Sequence, residues 1–80
     1  MIDKVPKEEI EKWLKRLDAK LKSVRPKTKK GEELLANAKA YRADCAHWLA
    51  QGNLCLSFES VVWAWAIIET AQDLAQFSED

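Results

Sequence analysis

The stretch 54-LCLSFESVVWAWAIIETAQDL-74 decides how this chain folds. At about 100° per residue, a helix brings Leu54, Phe58, Val61, Val62, Trp65 and Ile68 to one face. Leu56, Trp63, Ile67 and Leu74 then fall on nearly the opposite face. A helix that is apolar on two sides must be covered on two sides. In a closed bundle of three helices each member needs one broad stripe, so the extra stripe points to association with a second copy or a partner domain.

The residues before this stretch supply the other helices. Gly52 suits the left-handed position that ends a helix, and Asn53 caps the next one at once. So short a link makes antiparallel neighbours of the helices it joins. The preceding helix carries Leu34, Ala38, Tyr41, Cys45, Trp48 and Leu49 on one face, with Thr28 as its N-cap. Pro26 and Gly31 interrupt the periodicity between Ser23 and Gly31, which reads as a loop. Upstream, Ile10, Trp13, Leu14, Leu17, Leu21 and Val24 repeat at three- and four-residue intervals. Pro6 suits the first turn of that helix, and the acids at its start and lysines at its end complement the macrodipole. The expected fold is all-α: an up-and-down three-helix bundle with helices at about 6–24, 30–51 and 53–77, forming one domain over residues 1–80.

Composition narrows the function classes. The chain has 80 residues, 48% of them hydrophobic and 32% charged, with zero formal net charge. Balanced charge argues against a surface that traps nucleic acid everywhere. Two Gly and two Pro do not suit a turn-rich β fold. The longest apolar run, Val61 to Ile68, is too short to span a bilayer, and no basic start precedes an apolar leader, so a cytoplasmic protein is expected. Cys45 and Cys55 lie opposite about Ser60 and Ala50 in the expected hairpin, too far apart for a disulfide, and read as free buried thiols. A lone His without a CxxC pair supports no metal site and no cofactor.

Several residues invite chemistry. Glu69 falls among the apolar residues of the third helix, and Asp44 borders the core stripe of the second. Burying either alone is costly, so a polar clamp or pocket with Tyr41 and Arg42 is expected. Charge is uneven along the chain: residues 1–33 hold eleven Lys/Arg against seven Asp/Glu, and residues 34–80 hold two against six. Lys20, Lys22, Arg25, Lys27, Lys29 and Lys30 follow one another with no acid among them, a candidate anion-binding loop for phosphate or RNA backbone. It lacks the aromatics that stack bases and a glycine-rich phosphate cradle. Arg42 and His47 share the R-x4-H spacing of HEPN-type helical ribonucleases, but five steps set them about 140° apart on a straight helix. Of the four tryptophans, Trp13, Trp48 and Trp65 lie on core stripes. Trp63, on the second stripe, leads a candidate interface with Leu56, Ile67 and Leu74.

The run from Tyr41 to Asn53, with Phe58 and Trp63 to Glu69, resembles a small archaeal family known as domain of unknown function 357. Tyr41, Asp44, Leu49, Gly52, Phe58, Ala64 and Glu69 match its pattern. Cys45 stands where Ala is usual, Trp48 where Phe is, and Asn53 where Asp is. Trp65 and Ala66 replace a frequent His-Gly pair, so no role tied to that His carries over. The resemblance implies a compact helical bundle, an archaeal cytoplasmic origin and no known activity. Fusion of some members to nucleotidyltransferase-like domains implies an accessory or docking role.

Together these features lead us to expect a non-enzymatic protein–protein interaction module, self-associating as a homodimer through its third helix. The alternatives are a small nucleic-acid or phosphate-ligand binder using the basic 20–30 segment and, more remotely, a HEPN-like ribonuclease.

Overall fold

The computed structural model describes residues 6–79. Helix α1 spans Lys7–Ser23, strand β1 Val24–Pro26, helix α2 Lys29–Ala50, helix α3 Leu54–Asp73 and strand β2 Phe77–Glu79. The chain is a three-helix bundle closed at one end by a two-stranded ribbon in which β1 and β2 run antiparallel, Val24 opposite Glu79 and Pro26 opposite Phe77.

Local chemistry sets most of the boundaries. Pro6 is the N-cap of α1, with the backbone extended at φ −61° and ψ 136°. Its carbonyl accepts from the N–H groups of Glu9 and Ile10 at 3.0 and 3.3 Å. The Thr28 hydroxyl accepts from Gly31 N–H at 2.9 Å and starts α2. Gly52 adopts φ 77°, and the Asn53 side chain accepts from Leu56 N–H at 3.0 Å. Three residues thus reverse the chain and lay α3 antiparallel along α2.

The contact between α2 and α3 is the most extensive in the molecule. The Ser57 hydroxyl donates to the Cys45 carbonyl at 2.7 Å, and the Cys45 Sγ lies 3.3 Å from the Ser57 hydroxyl oxygen. In an antiparallel pair the register that joins Cys45 to Ser57 also carries Ala38 to Ala64 and Gly31 to Ala71, seven residues apart on each helix. All six residues are buried. Small side chains let the helix axes approach closely, and the one polar group in the seam is hydrogen-bonded. Val61 and Ile68 extend this buried line of α3. Ile10, Leu17 and Val24, again seven apart, close the core from the α1 side.

Four expectations are corrected here. The buried line of α3 runs between its two apolar stripes, so Val62 is exposed rather than part of the core. Cys45 faces Ser57 rather than Ser60, and Cys55 is exposed while Cys45 is buried. The Ser23–Gly31 loop contains strand β1. Helix α3 stops at Asp73 rather than near residue 77, because Ala75 turns left-handed at φ 56°. That turn, held by Gln76 N–H on the Ala71 carbonyl at 2.8 Å, sends Phe77 back into the core. By length and apolar composition α3 also has the character of a membrane-crossing helix; here both other helices pack along it.

Gly31 sits where the ribbon passes closest to α2. A methyl group on it would lie 2.4 Å from the Gln76 carbonyl oxygen. Alanine favours a helix over glycine by about 0.8–1.0 kcal/mol, yet Gly31→Ala is expected to lower the urea midpoint because backbone must move to admit the methyl. Ala75→Gly is expected to raise stability by roughly 0.5–1 kcal/mol in the same measurement, since glycine accepts the left-handed turn without strain.

Candidate interaction surface

Because the small residues of α3 fill the seam, its large apolar residues lie to either side of it. Four large hydrophobic side chains are exposed among the described residues: Leu56 at 36%, Val62 at 49%, Trp63 at 53% and Leu74 at 62%. Trp63 leans over α2 and stacks on Tyr41, with ring centroids 6.3 Å apart and planes inclined by 21°. Ile67, the fourth residue of the expected interface, is half-buried against its own core.

Two grooves flank this strip and share Ala66. The smaller, about 150 Å³, lies towards α2 and is lined by Leu34, Trp63, Ile67 and Thr70 as well. The larger, about 390 Å³, lies between α3 and α1 and is lined by Trp13, Phe58, Val61, Val62, Trp65 and Glu69 as well. Its aromatic wall is the edge-to-face pair Trp13–Trp65, centroids 6.2 Å apart at 81°. The Trp13 indole donates to Glu9 Oε1 at 3.2 Å, and the Arg16 guanidinium lies 5.1 Å from the Trp13 ring centroid. The Trp65 indole nitrogen is buried without a hydrogen-bond partner among the described residues.

The expected clamp of Tyr41, Arg42, Asp44 and Glu69 does not assemble. Asp44 and Glu69 are both exposed. Glu69 lies one helical step past buried Ile68, enough to swing it out of the core to the lip of the larger groove. Tyr41 serves as the platform for Trp63. Arg42 reaches α1 instead, donating from Nε and Nη2 to the two carboxylate oxygens of Asp18 at 2.8 and 3.0 Å. This bidentate bond, with the positive charge behind it, holds the Asp18 carboxyl below its ordinary value and the Arg42 guanidinium above its own. Sequence reasoning missed Asp18 because its partner lies 24 residues away on another helix.

The basic residues are spread over three elements rather than one loop. Lys20 and Lys22 end α1, Arg25 lies in β1, and Lys29 and Lys30 open α2. Arg25 donates to the carbonyls of Lys22 and Val24 at 2.8 and 3.0 Å, and Lys30 stands 3.9 Å from Glu33. Lys27 is exposed, and its N–H is tied to the Gln76 carbonyl at 2.8 Å. Arg42 is engaged by Asp18, whereas His47 is exposed with its ring against Trp48, centroids 4.9 Å apart. Among the described residues no three His, Cys, Asp or Glu side chains cluster to hold a metal ion.

These features define a three-helix bundle tied off by a terminal ribbon, with Trp13 of α1 and Tyr41 of α2 set against Trp65 and Trp63 of α3. The chain belongs to the DUF357 family, proteins of unknown function, whose model matches residues 12–77. The crystal structure of a DUF357 protein from Archaeoglobus fulgidus is similar at a TM-score of 0.84, with 32% identity over 92% of each chain. No curated protein matches the chain.

The Asp18–Arg42 pair makes a pH-dependent contribution of known sign. A carboxylate with a depressed folded-state pKa stabilises above its unfolded value, ordinarily 3.8, and that stabilisation is lost as pH falls through the folded value. Both side chains are more than a third exposed, so solvent screening limits the contribution to about 0.2–1 kcal/mol. Asp18→Asn is therefore expected to lower the urea unfolding free energy by that amount at neutral pH. The difference from wild type should close once acid has protonated Asp18 in both states.

Proposed function

We propose that this protein is a non-enzymatic, cytoplasmic interaction module that pairs with a second copy of itself through α3. The reading is carried by one observation: exposed Leu56, Trp63 and Leu74, with half-buried Ile67, form a ladder along α3 and its C-cap whose spacing is its own mirror image. Leu56, Trp63, Ile67 and Leu74 are separated by seven, four and seven residues. Two such helices meeting antiparallel across a two-fold axis set Leu56 of each copy against the partner's Leu74, and Trp63 against the partner's Ile67. A patch that complements itself in this way is what a symmetric dimer requires.

Energetics favour the same arrangement. Trp63 is a half-exposed indole held in place by Tyr41. It therefore loses little side-chain freedom when a partner covers it, and such prepositioned aromatics are strong anchors. Fully covering one large apolar side chain contributes roughly 1.5–3 kcal/mol. The non-enzymatic part of the reading is supported by Arg42, whose guanidinium is taken by Asp18 on α1.

Sedimentation equilibrium and multi-angle light scattering test the pairing. Wild type is expected to change from monomer to dimer with rising concentration. Trp63→Asp and Leu74→Asp are expected to remain monomeric while keeping wild-type helical circular dichroism. Leu74 lies just past the end of α3 and is the most exposed of the four, so its replacement leaves the core intact even if Trp63→Asp loosens the contact with Tyr41. A wild type that stays monomeric at every accessible concentration overturns the reading.

A further inference from the structure

We propose that β2 is an exchangeable strand: it leaves its own β1 and pairs with the β1 of a second copy, which gives its β2 in return. The hinge is the first ground for this. Only Leu74, Ala75 and Gln76 connect α3 to β2. Ala75 sits at φ 56°, in the position after a helix cap where glycine is usual because a Cβ crowds the left-handed backbone. Its side chain is exposed, so no packing of its own methyl fixes the turn. Leucine, alanine and glutamine are all good helix formers. Turning Ala75 right-handed relieves the strain and lets α3 run on, but it carries β2 off its own ribbon. Short hinges under strain favour exchange of this kind.

The place that β2 vacates identifies what fills it. Among the described residues β1 has β2 as its sole partner in a two-stranded sheet, and Phe77 is 7% exposed within the core. Departure of β2 therefore leaves backbone groups unpaired and a hole where an aromatic ring stood. The sequence that fits this place is the one seated in it, Phe77-Ser78-Glu79, antiparallel to Val24–Pro26. A second copy carries that strand on the same hinge. Reciprocal exchange restores the ribbon and the burial of Phe77 in both copies, and the change that remains is two left-handed alanines turned helical.

This exchange does not rest on pairing through α3. In the antiparallel α3 pair, Leu56 of each copy lies beside the partner's Leu74. The two ribbons then stand at opposite ends, about 27 Å apart along the helix at 1.5 Å per residue. Exchange is also the slower event, because Phe77 must first leave the core. Exchanged dimers accumulate on incubation and outlast dilution, whereas the α3 pair re-equilibrates with concentration.

The test uses the full chain, incubated at millimolar concentration near its unfolding midpoint, cooled and then diluted. Light scattering on Trp63→Asp, monomeric when fresh, is expected to show a dimer that persists after this treatment. Arg25→Cys/Ser78→Cys, carried with Cys55→Ser, reads how that dimer is built. Arg25 and Ser78 stand opposite each other on the two strands and both are exposed, and residues so opposed have the spacing a disulfide needs. Oxidised after dilution, unexchanged chains bridge within themselves and exchanged dimers bridge between chains, which a non-reducing denaturing gel separates. Ala75→Gly is expected to lower the yield of persistent dimer at least about tenfold, because the strain is removed from two hinges, and Ala75→Leu is expected to raise it. If Trp63→Asp fails to fold, Arg25→Cys/Ser78→Cys gives the same reading alone, since an α3 pair bridges only within chains. The proposal is overturned if neither protein forms a persistent dimer, if Ala75→Gly forms as much as its parent, or if the bridges in the dimer stay within chains. Ala75 governs the persistent dimer and Trp63 the freely reversible one, so the two proposals fail separately.

Discussion

The close seam between α2 and α3 governs the rest of the molecule. Buried Gly31, Ala38 and Cys45 on one helix stand in register with buried Ala71, Ala64 and Ser57 on the other, and the Ser57 hydroxyl locks that register through the Cys45 carbonyl. Small side chains contribute little apolar area of their own. Their effect is to let the backbones approach and to bring the flanking Val61 and Ile68 into full burial. The same choice leaves the bulky residues of α3 without room in the seam. Trp63 lies over α2, Trp65 and Phe58 turn towards α1, and Val62 points outward. The exposed aromatic strip follows from how the core is packed.

Helix α1 joins this pair on different terms. Ile10, Leu17 and Val24 reach the core, but the contact beside Trp13 is made between large rings meeting edge to face. That geometry is one that aromatic pairs favour, and the two rings line the larger groove. The bidentate Asp18–Arg42 bond ties α1 to α2 on another side of the bundle. At the open end the ribbon completes the closure: Phe77 enters the core and Gln76 approaches Gly31 so closely that no side chain fits between them. One end of the bundle is thus fixed by the three-residue connection, Leu74 to Gln76, from α3 to strand β2, and the other by the tight Gly52–Asn53 turn.

A family without an assigned activity is a setting in which surfaces say more than motifs. The residues that match the family pattern divide between the two. Gly52 and Ala64 are required by the α2–α3 hairpin, Gly52 for its turn and Ala64 for its seam. Tyr41, Phe58 and Glu69 lie at the surface grooves or support them. In this chain Trp65 and Ala66 occupy the middle of α3. Ala66 is the floor common to both grooves, and Trp65 is the wall of the larger one. Substitution at these two positions therefore acts directly on the shape of the candidate surface while leaving the seam intact.

Three helices, their caps at Thr28 and Asn53 and the reversal at Gly52 were legible in the sequence, because each depends on interactions within a few residues. The two-sided apolar character of α3 was legible for the same reason. Which line of α3 is buried was not: periodicity ranks residues by hydrophobicity, whereas close packing selected Ser57, Ala64 and Ala71 for their size. Asp18 with Arg42, and the exposed positions of Asp44 and Glu69, depend on rotations of whole helices that no local pattern encodes. The end of α3 was not legible because Ala75 is a good helix former, held left-handed by the Gln76–Ala71 hydrogen bond and by the entry of Phe77 into the core. Local chemistry determined the elements, and the tertiary structure alone decided their rotation and register, since those follow from the shapes of side chains that meet only after the chain has folded.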